Sequence, residues 1–424
     1  MLTKIVSLTL SAALAVVSVV AVIGMSGQAG WAFDKEKVLH NFGKGNDGAI
    51  PESSLISDAA GNLYGTTLYG GKTLCGYNYG CGTVFRLTPS GNGWTEKVLH
   101  NFNYVDGCEP RAELILDAHG NLYGTAEGDD CDNGTVFELL PGKNDEWSYK
   151  VLYRFTGGND GGEPAAGLIF DVAGNLYGTT ASGGYLDSGT VFELMPTNGK
   201  WSEKVLHSFT YTTDGALPTS TLIFDAVGNL YGTAMASGPG SGCGDYGCGT
   251  VFELIPRANG SWNEKTLHSF EGNGNDGWSP SSGMIIDTSG RLCGTTASGG
   301  LHNDGTVFEL MPGKKGIWTE KVLHSFNGKD GEAIYGRVVS DADGTLYGTA
   351  ALGGNTGDGC NTYGCGTVFA LTPGAFGRCT ARVLHRFDNT SKDGNFPAAG
   401  LVLDAAGNLY GTTVGGGAAT MGRN

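Results

Sequence analysis

The 424-residue sequence has few charged residues and is short of cations. Only 16% of its residues are charged, and 26 Lys and Arg stand against 42 Asp and Glu, which gives a formal net charge of −16. A protein that binds nucleic acid is normally basic, so this acidic balance argues against a nucleic-acid partner. The sequence also lacks helical hydrophobic periodicity beyond its N-terminal apolar run, which excludes a helical bundle.

Glycine is the most unusual part of the composition, with 74 residues. The glycines are scattered and do not occupy every third position, which excludes collagen. Aromatic residues make up 10% of the chain. A disordered chain would have to expose all of these rings to water, so the aromatic content excludes a disordered protein. Glycine combined with β-branched and aromatic residues predicts an all-β protein with short strands and tight turns.

Only one hydrophobic run is long. It extends from Ile5 to about Met25, after Lys4, and small residues follow up to Ala32. This order is typical of a secretory signal, so residues 1–32 are predicted to be a cleaved signal peptide, with an uncleaved anchor as the alternative. Because no other segment reaches the ~20 apolar residues of a membrane helix, we expect no membrane span after signal removal. The predicted location is outside the cell or in its envelope, in the periplasm or on the surface.

All ten cysteines follow this segment. Three pairs are close in sequence, namely Cys75 with Cys81, Cys243 with Cys248, and Cys360 with Cys365, and Cys108 and Cys131 form a candidate fourth pair. Disulfides are predicted for these eight residues because the chain is expected to enter an oxidising compartment. The alternative is zinc, which needs four converging ligands that pairs in distant repeats do not offer. The sequence leaves open whether Cys293 and Cys379 pair.

The chain after the signal is a tandem array of seven units. Leu-Tyr-Gly-Thr begins at residues 63, 122, 176, 230, 346 and 409, and a seventh copy reads Leu292-Cys293-Gly294-Thr295. Each unit contains four short runs rich in Val, Phe, Thr and Tyr, bounded by Gly, Asn and Pro, which are typical of antiparallel strands. We therefore predict one domain, a seven-bladed β-propeller over residues 33–414, followed by a short flexible tail at 415–424.

The two ends of the array suggest how the ring closes. Residues 36–42 resemble the fourth strand of a unit without its first three, and residues 401–413 contain only the first two strands. The N-terminal strand is therefore predicted to complete the seventh blade. No Gly-Thr-Val-Phe strand follows Thr413, so that blade is expected to be incomplete: either it is thin or the chain is truncated.

The repeats resemble the GloVer tandem repeats of exported bacterial proteins. The resemblance covers about residues 36–413. It rests on Gly-Asn-Leu-Tyr-Gly-Thr-Thr at 61–67, 174–180 and 407–413, on Gly-Thr-Val-Phe-Glu-Leu at 189–194 and 305–310, and on Glu-Lys-Val-Leu-His-Ser-Phe at 203–209 and 320–326. It implies export and a repeat architecture without an established activity. Many members carry a C-terminal surface-sorting segment, which this sequence does not show, so the sequence leaves surface anchoring open.

Residues that recur in every unit are expected to build the frame. Asp in Asp-x-x-Gly and Asp in Asp-Gly are interpreted as turn residues, with metal binding as the alternative for both. A histidine also recurs in the fourth strand in all copies but the second, which has Tyr153, and is interpreted, as at His207, as a ring packed between blades.

A single asymmetric site must use residues that differ between units. The position just before the first strand should line the channel mouth, and it reads Ser54, Glu113, Gly167, Thr221, Gly283, Arg337 and Gly400. Glu113 and Arg337 are the charged exceptions, and Arg111 precedes Glu113 by two residues. We therefore predict a binding site at the channel mouth formed by Arg111, Glu113 and Arg337.

An acidic segment flanks this predicted site. Glu127, Asp129, Asp130 and Asp132 surround Cys131 in the second unit. Carboxylates in such a loop are ligands that calcium prefers, so calcium is the one cofactor considered, against the alternative of solvated loop charge.

No recognisable set of catalytic residues is present, so no catalytic residue is predicted. The leading hypothesis is an exported, monomeric, non-enzymatic propeller that binds a carbohydrate, a peptide or an envelope partner, or serves as a scaffold. The alternative is an extracellular enzyme that acts on a polysaccharide or a small ester at the channel mouth, since propellers host both kinds of function.

Overall fold

The fold is given by a computed structural model. The structure describes residues 19–23, 36–43, 46–73, 75, 79–128, 133–240, 242–243, 247–357, 360, 362–374, 379–389 and 393–416. Within these residues the chain is all-β, with two short 3-10 turns at Lys143–Asp145 and Lys314–Gly316 and no α-helix. No helix in this part of the chain is long and apolar enough to cross a membrane.

The first half of the chain forms two early strands and three complete blades. The early strands are β1 (Val19–Ile23) and β2 (Lys37–Asn41). Blade 1 contains β3 (Ile56–Ser57), β4 (Leu63–Thr67), β5 (Thr83–Ser90) and β6 (Gly93–Asn101). Blade 2 contains β7 (Ile115–Leu116), β8 (Leu122–Ala126), β9 (Thr135–Pro141) and β10 (Trp147–Arg154). Blade 3 contains β11 (Ile169–Phe170), β12 (Leu176–Thr180), β13 (Thr190–Thr197) and β14 (Lys200–Ser208).

The second half continues the same plan. Blade 4 contains β15 (Ile223–Phe224), β16 (Leu230–Ala234), β17 (Thr250–Pro256) and β18 (Trp262–Ser269). The next strands are β19 (Gly277–Trp278), β20 (Ile285–Ile286), β21 (Leu292–Thr296), β22 (Ser298–Gly299), β23 (Thr306–Pro312) and β24 (Trp318–Ser325). Of these, β20, β21, β23 and β24 form blade 5.

The last strands complete the ring. Blade 6 contains β25 (Val339–Ser340), β26 (Leu346–Ala350), β27 (Thr367–Pro373) and β28 (Cys379–Arg386). They are followed by β29 (Gly394–Asn395), β30 (Val402–Leu403), β31 (Leu409–Thr412) and β32 (Gly415–Gly416). In the six blades each strand pairs antiparallel with the next strand of its blade.

The prediction of seven blades needs a correction. Six blades are each built from one repeat, whereas the last repeat supplies only β30 and β31. These two strands join a composite sheet in the order β2-β1-β31-β30. Strand β2 takes the outermost position predicted for residues 36–42, and β1, from within the predicted signal, takes the third position. The physical reason is the missing third strand after Thr413. The first two residues of the predicted tail form β32, which pairs with β29.

The last repeat is hydrogen-bonded to the first blade. Thr412 Oγ1 donates to the carbonyl oxygen of Ser53 at 3.0 Å, and Gly400 N donates to Ser54 Oγ at 3.0 Å. Val402 and Tyr410 also pack against an apolar cluster that includes Leu55 and Leu63. The array therefore joins head to tail around a central channel.

The glycine in the second strand of each blade leaves room for an aromatic ring of the neighbouring strand. A Cβ on Gly178 would lie 2.6 Å from Cζ of Phe192 on the neighbouring strand β13. Phe192 is fully buried and in turn packs edge-on against Phe155 of the preceding blade, with 5.1 Å between ring centroids. Burial of such rings between sheets supplies much of the core of the propeller.

The recurring Asp residues have turn roles, as the sequence predicted. In blade 3, Asp171 Oδ1 accepts hydrogen bonds from the backbone N–H groups of Ala173 (2.8 Å) and Asn175 (2.9 Å). The Asp of Asp-Gly behaves in the same way. Asp214 Oδ1 accepts from Thr210 N at 3.0 Å, and its other oxygen lies 2.9 Å from His207 Nε2. The Asp214 carboxylate thus stabilises a crossover that leads to the channel mouth, whereas the Asp171 turn joins β11 to β12 at the opposite end of these strands.

Candidate functional site

The position that the sequence selected lies at the channel mouth in all seven repeats. A small cavity of about 130 Å³ is lined by Ser54, Glu113, Gly167, Thr221, Gly283, Arg337 and Gly400. The residues two positions earlier line the same cavity: Glu52, Arg111, Ala165, Thr219, Ser281, Tyr335 and Ala398. Two rings of residues from the crossovers between blades thus form the mouth.

Backbone pairing holds these crossovers in place. Each crossover runs beside the loop between the second and third strands of its own repeat, as in the antiparallel pair β19–β22. The same pairing occurs as single bridges between Ala49 and Tyr69, Gly162 and Ser182, and Ala216 and Ala236. The mouth is therefore a hydrogen-bonded surface rather than a set of free loops.

Glu113 and Arg337 meet across the mouth. Arg337 Nη2 lies 3.0 Å from Glu113 Oε2, and the side chains are 33% and 9% exposed, respectively. Their neighbours have to be small: a Cβ on Gly167 would lie 2.7 Å from Cγ of Glu113, and one on Gly400 would lie 3.1 Å from Cγ of Arg337. The glycines next to the pair thus leave room for two long side chains to reach each other.

Arg111 belongs to a second charged group at the rim. Its Nε lies 3.5 Å from Glu52 Oε2 and 3.2 Å from Glu127 Oε2. Burial raises the pKa of Glu52, and the positive charge of Arg111 opposes this rise only in part. Burial acts to lower the pKa of Arg111, but the surrounding acidic groups, with Glu127 and Glu52 the strongest, together raise it.

Several polar side-chain atoms at the mouth make no hydrogen bond within the described part of the protein. Within the described residues, Thr219 Oγ1, Ser281 Oγ and Arg337 Nε are buried and have no hydrogen-bond partner. Buried polar groups are normally hydrogen-bonded, so these atoms mark a place where another molecule is expected to bind. Tyr335, which is 43% exposed, adds an aromatic ring at the same rim.

A second cavity lies along the channel beside the Glu113–Arg337 pair. Its volume is about 520 Å³, and both members of the pair line it. The rest of its wall is largely apolar, with Ile115, Phe170 and Phe224 among the lining side chains. The ion pair thus separates a polar mouth from an apolar chamber.

The predicted calcium candidates are only partly visible. Asp129, Asp130 and Asp132 lie outside the described residues, and Glu127 is paired with Arg111. One group of three possible metal ligands occurs among the described residues, formed by Glu36, His385 and Asp393. It contains a recurring His–Asp pair of the frame, with His385 Nε2 2.9 Å from Asp393 Oδ1, and none of the three residues lines the mouth cavity.

Three of the predicted disulfides are present. They join Cys75 to Cys81, Cys243 to Cys248 and Cys360 to Cys365. Cys108 is also disulfide-bonded, but its predicted partner Cys131 lies outside the described residues. Such bonds are typical of proteins in an oxidising environment.

The structure places Glu113 and Arg337 at the channel mouth, where they form an ion pair, and places Arg111 in a neighbouring ion-pair group. Sequence reasoning missed Glu52, Thr219, Ser281 and Tyr335. These residues lie two positions before the residues from which the site was predicted. At that earlier position, Thr219, Ser281 and Tyr335 differ from the alanines of other repeats. A comparison of this earlier position between the seven repeats identifies all four residues.

Comparison with known proteins agrees with the architecture. The model of the Gloeobacter/Verrucomicrobia repeat family matches residues 32–244 and 241–423. No curated protein is similar to the chain in sequence. A proposed 6-phosphogluconolactonase from Bacteroides uniformis is similar in structure, with a TM-score of 0.54, 11% identity, and coverage of 90% of this chain and 98% of that one.

Two further solved structures are more distant. A luciferin-regenerating enzyme has a TM-score of 0.43 at 16% identity and covers 80% of this chain and 96% of its own. A proposed glucose dehydrogenase from Thermus thermophilus has a TM-score of 0.41 at 16% identity and covers 72% of this chain and 92% of its own.

Proposed function

We infer that this chain, which belongs to the Gloeobacter/Verrucomicrobia repeat family, is a non-enzymatic binding propeller whose ligand is a saccharide held at the channel mouth. The observation that carries the proposal is the set of uncommitted polar atoms there, on Thr219, Ser281 and Arg337. Hydroxyl groups of the protein both donate and accept hydrogen bonds, and a guanidinium donates only. A polyhydroxylated ligand satisfies both kinds of group at once.

The small volume of the mouth favours binding of the terminal sugar of a glycan over binding of a whole oligosaccharide inside the channel. The mouth holds only about 130 Å³, less than the ~300–1,000 Å³ typical of a site that encloses a drug-sized ligand. One sugar unit would therefore enter, while the rest of the glycan lies across the rim. Tyr335 stands at that rim, where an aromatic ring offers an apolar face to a sugar and a hydroxyl to its edge.

The charge of the mouth favours a neutral glycan. Each guanidinium already lies beside a carboxylate, Arg337 beside Glu113 and Arg111 beside Glu52 and Glu127. An anionic ligand would have to compete with these carboxylates. The disulfides suit a role outside the cytoplasm, so the glycan belongs to the cell envelope or to the surroundings of the cell.

The proposal is tested on a glycan array with the purified full-length protein. We expect binding to a subset of neutral glycans, and at least a tenfold weaker signal in Thr219→Val/Ser281→Ala. The matched control is Ser202→Ala, which removes an exposed hydroxyl from an outer strand and should leave binding unchanged. Equal binding by the mouth variant and the control would overturn the proposal. A parallel array with calcium and with chelator tests whether the acidic flank contributes.

A second candidate function is hydrolysis of a polysaccharide or small ester at the same mouth. It is favoured by the carboxylates of Glu52 and Glu127, which both lie near Arg111 Nε and so are no farther apart than the ~9 Å limit for catalytic pairs in glycosidases. The raised pKa of Glu52 suits a general acid. Turnover of a hydrolase substrate panel that is lost in Glu52→Gln would support this function over binding alone.

A further inference from the structure

A cleft between blades 5 and 6 has no counterpart in the sequence predictions. Its volume is about 410 Å³, and its wall includes the apolar side chains of Ile285, Leu323, Leu346 and Pro373. Cys293 and Cys379, which are not bonded in the structure, also line it. The cleft is separate from the mouth, since it opens between neighbouring sheets and not at the crossovers.

At other junctions the same space is filled by two aromatic rings. Each ring pair joins the Tyr of Leu-Tyr-Gly-Thr in one blade to the Trp of the outer strand in the next blade. The pairs, with distances between ring centroids, are Tyr64–Trp147 (6.3 Å), Tyr177–Trp262 (6.3 Å), Tyr231–Trp318 (6.1 Å) and Tyr410–Trp94 (6.1 Å).

Cys293 and Cys379 are the residues at those two positions. Cys293 pairs with Glu309 as Tyr231 pairs with Glu253, and Cys379 pairs with Pro373 as Trp318 pairs with Pro312. Both large rings are thus replaced by small thiols at one and the same junction. The structure around a truncated side chain collapses only in part, so the loss of both rings leaves a cavity of the shape that a ring pair would fill.

The cleft also retains the carboxylate that accepts the Tyr hydroxyl at other junctions. In blade 4 the hydroxyl of Tyr231 donates to Glu253 Oε1 at 2.9 Å. The equivalent carboxylate in the cleft, Glu309, has lost that donor and lies 3.0 Å from Arg291 Nη1. A carboxylate accepts several hydrogen bonds, so Glu309 keeps capacity for a phenolic hydroxyl in the place of the missing one.

We propose that the cleft between blades 5 and 6 binds a small planar aromatic molecule, specifically a phenol, in the space that Tyr and Trp occupy at other junctions. An apolar cavity of ~150 Å³ left by a truncated side chain is known to take up benzene, and ~300–1,000 Å³ is the usual size of small-molecule sites. The thiols do not disturb an apolar ligand, since burial raises the pKa of Cys293 to about 12 and keeps it neutral.

The test is titration of the protein with 4-fluorophenol, followed by fluorine NMR and calorimetry. Wild type should bind one equivalent saturably, and Cys293→Tyr/Cys379→Trp, which refills the cleft, should lose at least tenfold in affinity. Cys379→Trp alone provides a second variant if the double variant does not fold. The matched control is Tyr231→Cys/Trp318→Cys, which opens the equivalent space between blades 4 and 5 and should add a second site.

Three results would overturn the proposal. One is the absence of saturable binding to wild type, and another is unchanged affinity in the folded refilled variant. The third is fewer than two reactive thiols in the unreduced, denatured protein, because this would mean that Cys293 and Cys379 bond to each other and close the cleft.

Discussion

Arg337 Nη2 lies 3.0 Å from Glu113 Oε2, and the two residues come from the sixth and second repeats of the ring. The pair bridges the channel from opposite walls, and it lines both the polar mouth and the apolar chamber beside it. A contact of this kind fixes the distance between two blades that share no strand pairing.

The first prediction concerns this ion pair. Glu113 is nearly buried, so Glu113→Ala leaves the Arg337 guanidinium without its counter-charge and should lower the free energy of unfolding by about 1–3 kcal/mol. Glu113→Ala/Arg337→Ala should cost less than the sum of the two single changes, because it leaves neither charge unpaired. Urea unfolding of the four proteins measures this coupling, and strictly additive effects would contradict it.

The second prediction concerns pH. Burial raises the pKa of Glu96, Glu203 and Glu320 to about 7 each, with nearby Asp47, Asp160 and Asp276, respectively, acting in the same direction. A carboxyl whose pKa is raised on folding stabilises the fold fully below its unfolded value of ~4.3, and this stability is lost as the pH rises through 7.

The Tm should therefore fall between pH 5 and pH 8. Glu203→Gln should flatten this dependence, since the amide stays neutral throughout, and Glu146→Gln, at an exposed turn, is the control that should not change it. A Tm that rises over this range, or a slope that is the same in both variants, would contradict the prediction.

The third prediction concerns packing under the second strand. Gly178→Ala places a Cβ 2.6 Å from Phe192 Cζ and 2.9 Å from Leu168 Cδ2, so it should destabilise the protein by ~1–3 kcal/mol through overpacking. Gly93→Ala is the control, because its Cβ would meet only Ser90 O at 3.9 Å. Thermal unfolding compares the two, and equal Tm values would show that β12 tolerates a side chain at this position.

The fourth prediction concerns the local disulfides. Cys243→Ala/Cys248→Ala removes a bond with a sequence separation of 5 residues. Closing so short a loop restricts the unfolded chain only modestly, so the loss should be about 2 kcal/mol and binding at the mouth should persist. Denaturant unfolding checks the loss of stability, and the glycan array checks binding. Loss of glycan binding would show instead that this loop shapes the mouth.

The strands and turns of the blades could be predicted from the sequence because each of them depends on contacts within one repeat, and the same contacts recur in every repeat. The Asp turns, the Gly under Phe and the four short strands follow from local chemistry, as Asp171 and Gly178 show. The last sheet was harder, since strand order there depends on β1 pairing with β31 across the whole chain. No local pattern encodes that contact.

The candidate site was predictable only in part, for a similar reason. Glu113 and Arg337 stood out because their neighbours in the row are small, and strand polarity placed them at one end of the channel. The contact of Arg111 with Glu52 joins two different repeats, and the buried hydroxyl of Thr219 is distinguished only by what surrounds it. Such relations between blades become visible only when the ring is closed.

Binding at the channel mouth is tested by hydrogen exchange of the protein with and without a glycan selected on the array. We expect slower exchange in the crossovers at 111–113, 219–221, 281–283 and 335–337, with outer strands unchanged. Protection confined to the outer strands, with these four crossovers exchanging as in the free protein, would contradict binding at the channel mouth.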